Sequence, residues 1–220
     1  MLLTWAAMDL THALDQLGAV RRGLSTLDHR GRPARVLTAE QTYAAGAADV
    51  WDALTDPERL PRWFLPIEGD LRVGGRYQLV GNASGTIERC EPPRSLAVTW
   101  EYGDGVSWVE VDLTESAGAT TLVLRHIAHP DERWDRYGPG AVGIGWDMAM
   151  LGLALHLATG ESNDAEAFMA WTMGADGVAF MRDSNDRWHD ADVAAGAEPA
   201  DARLRADRTL AFYTGQEEPV

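Results

Sequence analysis

The chain has 220 residues, 45% hydrophobic and 24% charged, which is the balance of a globular protein with its own core and excludes a disordered or fibrous chain. Its formal net charge of −15 repels phosphate backbones and anionic membrane surfaces, and the one basic cluster, Arg30, Arg32 and Arg35, is short and lacks interleaved aromatics, so no nucleic-acid partner is expected. A single cysteine can form no internal disulfide, so nothing in the cysteine content points to an oxidising compartment.

The opening stretch, MLLTWAAMDLTHAL, lacks the basic start, long apolar run and small-residue cleavage site of a secretion signal, and a cytoplasmic location is expected. Leu10, Leu14 and Leu17 then fall at helical spacing and stop at Gly18, predicting a short helix. Residues 23–45 form two extended runs around the turn sequence HRGRP. Residues 47–54 predict a helix with Val50, Trp51 and Leu54 on one side. A second helix is predicted over 55–64, capped by Thr55 or Asp56 with Pro57 in its first turn.

From 75 to 127 the period is two. Strands are predicted at 76–80, 85–90, 95–102, 107–113 and 120–127, joined by short turns as an antiparallel meander. The inward set is Tyr77, Leu79, Leu96, Val98, Trp100, Tyr102, Val109, Val111, Leu113, Leu122, Leu124 and His126. Pro92 and Pro93 cannot sit inside a central ladder and mark a turn. Cys90, just before them, has no histidine near it in sequence and no second cysteine to share a metal. It is expected to be a buried small hydrophobe, part of the scaffold.

The glycine-rich run 137–145 is expected to be a turn or flexible lid. It leads into a helix with Trp146, Met150, Leu153 and Leu157 as its apolar stripe and Gly160 at its end. This apolar run contains Asp147 and His156 and is short for a bilayer, so a buried helix is predicted and no membrane insertion. After 160 the pattern predicts two or three helices. Their apolar residues Phe168, Trp171, Met181, Trp188 and Phe212 need cover, from the outer face of the domain or from a second subunit in a homodimer. The divisions are thus 1–34, an N-terminal helix and first extended segment; 35–160, the main domain; and 161–220, a helical C-terminal extension packed on it.

Five stretches in order, VWDALTDPERLPRWF (50–64), LRVGGRYQL (71–79), GTIERCEPPRSLAVTWEY (85–102), VEVDLTESAGATTLVLRH (109–126) and GW (145–146), resemble the START/birch-pollen-allergen-like (SRPBCC) superfamily. Within it they look most like the branch of homologues of the activator of heat-shock protein 90 ATPase. The resemblance implies an α+β helix-grip fold, an antiparallel sheet curved around a long C-terminal helix with a cavity between them. It also implies binding of a small, mostly apolar molecule. Cyclase or dehydratase chemistry in the same pocket (polyketide cyclase-like) is the alternative, and a co-chaperone or regulatory interaction is a further one. The superfamily's activator carries a separate domain for its chaperone partner, and the tail here does not resemble it. Fold alone does not choose among these.

If the alignment holds, Trp63, Tyr77, Trp100, Tyr102, Val111, His126, Trp146 and Met150 are the ligand-binding residues. His126 is the catalytic candidate if a reaction occurs, acting as acid or base with Tyr77 or Tyr102. No cofactor is implied. His126, His129, Asp131 and Glu132 form a superficially metal-like group, but the two histidines face opposite ways along an extended segment, so no metal site is expected. Residues 131–136 carry mixed charges and are expected to be a solvated loop.

Overall fold

Alternating apolar and polar residues from 21 to 128 build one antiparallel sheet in the computed structural model, which describes residues 9–216. The residues before these, weighed above for a secretion signal, lie outside the described residues. The strands are β1 (Arg21–His29), β2 (Arg32–Tyr43), β3 (Ile67–Gly69), β4 (Arg76–Leu79), β5 (Ser84–Glu91), β6 (Ser95–Tyr102), β7 (Gly105–Ser116) and β8 (Ala119–Ala128). Their order across the sheet is β1-β2-β8-β7-β6-β5-β4-β3: a meander from β3 to β8, with the β1–β2 hairpin added at its β8 edge. The division drawn at residue 34 therefore falls inside β2, and β1 belongs to the same sheet. β3, three residues long, had too few residues to show a period.

The predicted pattern around residues 47–64 is only half realised. Helix α2 (Ala47–Thr55) forms, but the expected second helix shrinks to a single 3-10 turn, Leu60–Arg62. Asp56 accepts from the backbone N–H groups of Glu58 and Arg59 at 2.7 and 3.1 Å, as a cap would. Pro61 has no N–H with which to continue a ladder. The turn leaves Trp63 and Phe64 at the entrance to the space above the sheet.

Two further expectations are corrected. Residues 132–137 are not a loop but helix α3 (Glu132–Tyr137), whose N-cap Asp131 accepts from the N–H of Trp134 at 2.8 Å. The glycine-rich run is not a lid: helix α4 (Gly140–Thr159) begins inside it and ends at Gly160, whose φ of 70° is the left-handed conformation glycine adopts without strain. The early helical glycines have a packing reason. A Cβ added at Gly143 would lie 2.4 Å from Trp188 Nε1, so only glycine lets that indole approach.

α4 lies on the inner face of the sheet, and its opposite face is covered by α1 (Leu10–Ala19) and by the three tail helices, α5 (Ala165–Met173), α6 (Ala175–Ala194) and α7 (Pro199–Tyr213). Burial on two sides explains why α4 is apolar nearly all round. It is long and apolar enough to cross a membrane, yet half of that length is buried within the protein. The architecture is the α+β helix-grip arrangement with a helical C-terminal extension.

Behind α4 sits a buried polar knot. Asp147 of α4, with no side-chain exposure, meets Arg22 of β1 at 2.9 Å and accepts from Ser184 at 2.5 Å and Trp188 at 3.0 Å, both on α6. Arg22 also donates to the carbonyls of Leu17 and Val20 at the end of α1. Burial pushes the Asp147 carboxyl up from its ordinary range, while the Arg22 charge and the two side-chain donors pull it down. Four elements are tied at this point.

Candidate functional site

A cavity of about 370 Å³ lies between the sheet and α4, within the range of small-molecule pockets. Its floor is the inner face of β4 to β8, including Tyr77, Ile87, Val98, Trp100, Val111 and Leu124. Its roof is Trp146, Ala149, Met150 and Leu153 of α4. Trp63 and Phe64, ring centroids 5.4 Å apart and stacked at 29°, close one side. Leu71, Arg72, Val73, Cys90 and Pro92 form the rim; Leu71 and Val73 are exposed there.

The lining is almost wholly apolar. Its polar tips are mostly taken: Trp63 Nε1 donates to the Ala53 carbonyl at 2.7 Å and the Tyr77 hydroxyl to the Thr99 carbonyl at 2.7 Å. Burial raises the Tyr77 phenol well above its ordinary range, so it stays protonated. Arg72 is the one charged side chain of the lining among the described residues, and its Nε faces both carboxylate oxygens of Asp70 at 2.9 Å.

Six of the eight residues singled out from the sequence, Trp63, Tyr77, Trp100, Val111, Trp146 and Met150, come together around this cavity. Tyr102 does not: it sits 55% exposed at the end of β6, where the hairpin to β7 turns away. His126 does not reach the cavity either. It is buried behind Trp146, whose Nε1 donates to His126 Nδ1 at 3.0 Å, and its Nε2 lies 2.9 Å from the Ser107 hydroxyl. Because the indole N–H can only donate, Nδ1 is the bare nitrogen and Nε2 carries the proton. Both nitrogens are occupied, and no acid–base pair of His126 with Tyr77 or Tyr102 faces the cavity.

Burial pushes His126 down to about 4 from its ordinary value of 6.5. The neutral ring is favoured by folding, so its contribution is complete above about pH 6.5 and is lost as pH falls toward 4, about 3 kcal/mol in all. Urea titrations at pH 7 and 4.5 should therefore show a steeper loss for the native chain than for His126→Phe. Equal losses would mean that His126 does not carry this pH dependence.

The metal-like group disperses. His126 points inward, His129 packs on the outer face with Nδ1 3.0 Å from the Pro33 carbonyl, and Asp131 caps α3. Among the described residues no group of three or more His, Cys, Asp or Glu could hold a metal ion.

Cys90 corrects the scaffold expectation. It does belong to the inner face, paired with Leu96 across β5 and β6, but the register shifts between Ile87 and Arg89 and the strand ends at the open rim, so the thiol is exposed. Among the described residues none covers that rim, which the one-dimensional pattern could not show. Phe64, Leu71, Arg72 and Val73 were likewise missed as lining residues; the adjacent aromatics of RWF were the one signal available for Phe64.

Comparison with proteins of curated function gives no match. Among solved structures, CalU16 from Micromonospora echinospora is 34% identical in its solution structure, aligned over 81% of this chain and 97% of its own with a TM-score of 0.68. Its crystal structure gives 33% identity, 79% and 98% coverage and a TM-score of 0.65. EF2215 from Enterococcus faecalis, a protein of unknown function, is 16% identical but aligns over 96% of this chain and 99% of its own at a TM-score of 0.54, a likeness of fold alone. A family model described as activator of Hsp90 ATPase homolog 1-like protein matches residues 44–158.

Proposed function

The chain belongs to the family of activator of Hsp90 ATPase homolog 1-like proteins, and on that footing we propose that it binds a small, mostly apolar molecule in the cavity under α4. The observation carrying this reading is the cavity itself: an apolar lining of aliphatic and aromatic side chains with one open rim. Displacing water from such walls is favourable at roughly 25 cal/mol per Å² of apolar surface covered. With the polar tips already satisfied by the protein, little directs a ligand by hydrogen bonding, so shape and stacking set the choice. Cyclase or dehydratase chemistry would need proton-transfer groups facing the ligand, and His126, Tyr77 and Tyr102 are not arranged to supply them.

Cys90 offers the test. Exposed at the rim, it should react readily with a fluorescent maleimide in the native protein, and Cys90→Ala should change stability by less than about 1 kcal/mol. A ligand seated in the cavity at ten times its dissociation constant should slow labelling about tenfold and raise the melting temperature by mass action. Sterols, fatty acids, flavonoids and polyketides are the panel. If none shields the thiol or shifts the melting temperature, the binding reading fails. The family's description supports a second reading, contact with a chaperone, for which the exposed Leu71 and Val73 at the rim are the apolar surface available. In that case the chaperone, and no small molecule, should shield Cys90.

A further inference from the structure

We propose that His126 is a positioning residue that sets the aromatic end of the cavity, so that the site selects ligands presenting a flat conjugated ring there. The inference rests on the cavity being the ligand site. Trp100 and Trp146 reach that end from different layers, one from β6 and one from α4, with ring centroids 5.2 Å apart and planes tilted by 58°. Both are only partly buried, so packing alone leaves the rings room to turn about their side-chain torsions.

Hydrogen bonds remove that freedom for Trp146 and tie its anchor to the Trp100 backbone. Trp146 Nε1 donates to His126 Nδ1, His126 Nε2–H donates to Ser107 Oγ, and the Ser107 hydroxyl donates to the Trp100 carbonyl at 3.1 Å. Each donor meets one acceptor, and the chain runs in a single direction from the roof indole to the backbone of the floor indole. The three groups on the sheet come from adjacent strands: Ser107 pairs with Trp100, and His126 with Val109, two residues on from Ser107. The His126 ring also sits edge-on to both indoles, 6.0 Å from Trp146 and 6.4 Å from Trp100. With both nitrogens taken, His126 acts on a ligand only through Trp146. A wedge of one fixed indole, Trp146, and a second, Trp100, packed against it and against His126 rewards a planar ring, which can stack against one face and meet the other edge-on, and gives an unbranched chain no comparable gain.

The experiment compares a flat neutral probe, N-phenyl-1-naphthylamine, with a linear one, cis-parinaric acid, in fluorescence titrations of the full chain. His126→Phe, which keeps a ring and removes both hydrogen bonds, should weaken the flat probe about tenfold and the linear probe less than about twofold. Trp146→Phe should do the same, and the double variant should be no worse than Trp146→Phe alone, because the histidine works through the indole. The Trp146 indole N–H resonance should lose its exchange protection in His126→Phe. Ser107→Ala, a smaller change, should move both readouts in the same direction and carries the comparison if His126→Phe does not fold. Equal weakening of both probes, or additive effects in the double variant, would overturn the inference. A native chain that binds both probes, with variants that bind them unchanged, removes this inference alone. A native chain that takes neither probe overturns this inference, and the binding reading falls with it only if the wider panel also fails.

Discussion

A chain ending at residue 160 is expected to be unfolded or aggregated, although it retains every strand of the sheet. Trp188 and Phe180 of α6 have no exposure at all, and Trp188 belongs to the main core together with residues of the sheet and of α4. Phe180 and Trp171 close a second cluster with Ala13, Leu17, Leu151 and Leu155. Each large side chain buried contributes about 1.5–3 kcal/mol, so losing Trp171, Phe180, Met181 and Trp188 removes on the order of 10 kcal/mol, as much as a typical domain's whole stability. The back of α4 would keep only the cover of α1. Size-exclusion chromatography and circular dichroism of residues 1–160 test this; a soluble monomer with an unchanged melting temperature would show that the tail is an independent appendage.

Asp147→Ala should destabilise the protein by about 3–5 kcal/mol, because it leaves the Arg22 guanidinium, 5% exposed, without its counter-charge. It also strips an acceptor from Ser184 and Trp188. Replacing both charges, Arg22→Met with Asp147→Leu, should recover part of the loss, since the two apolar groups need no partner although Ser184 and Trp188 still lack their acceptor. Urea unfolding of the single and double variants measures both. A single variant within about 1 kcal/mol of the native chain would mean that water or rearrangement supplies the missing partner.

The strands were legible because one face of each is buried, so a slip of one residue would turn the whole apolar set outward. Tyr77, Val98, Val111 and Leu124 could thus be assigned to the inner face from alternation alone. Helix ends were legible where capping chemistry is local, as at Gly160. The same reasoning misled at 55–64, where a good cap was followed by a proline three residues too soon, and at 131–137, where mixed charges concealed a short capped helix.

The cavity residues divide along the same line. Trp63, Trp100, Trp146 and Met150 were named through the family resemblance, and for Trp100, Trp146 and Met150 the periodicity of their own elements agrees with it. The roles of His126 and Cys90 could not be read in either way. Alternation gives the side of the sheet on which a side chain stands, not what lies above it. His126 is covered by an indole from a helix 20 residues on, while Cys90 stands exposed among the described residues. The Asp147 knot was beyond reach for a stronger reason, since its partners stand 125, 37 and 41 residues away.

What the sequence determined by itself is the meander strands with their buried faces and the long helix α4, set by periodicity and capping between residues a few positions apart, with the helix-grip arrangement implied by the resemblance. What only the tertiary structure decided is which elements cover which: that the tail closes the back of α4, that the rim of β5 stays open, and that His126 serves a tryptophan instead of a ligand. Those outcomes depend on contacts between distant segments. No local pattern encodes such contacts, because hydrophobic burial is non-directional and names no partner.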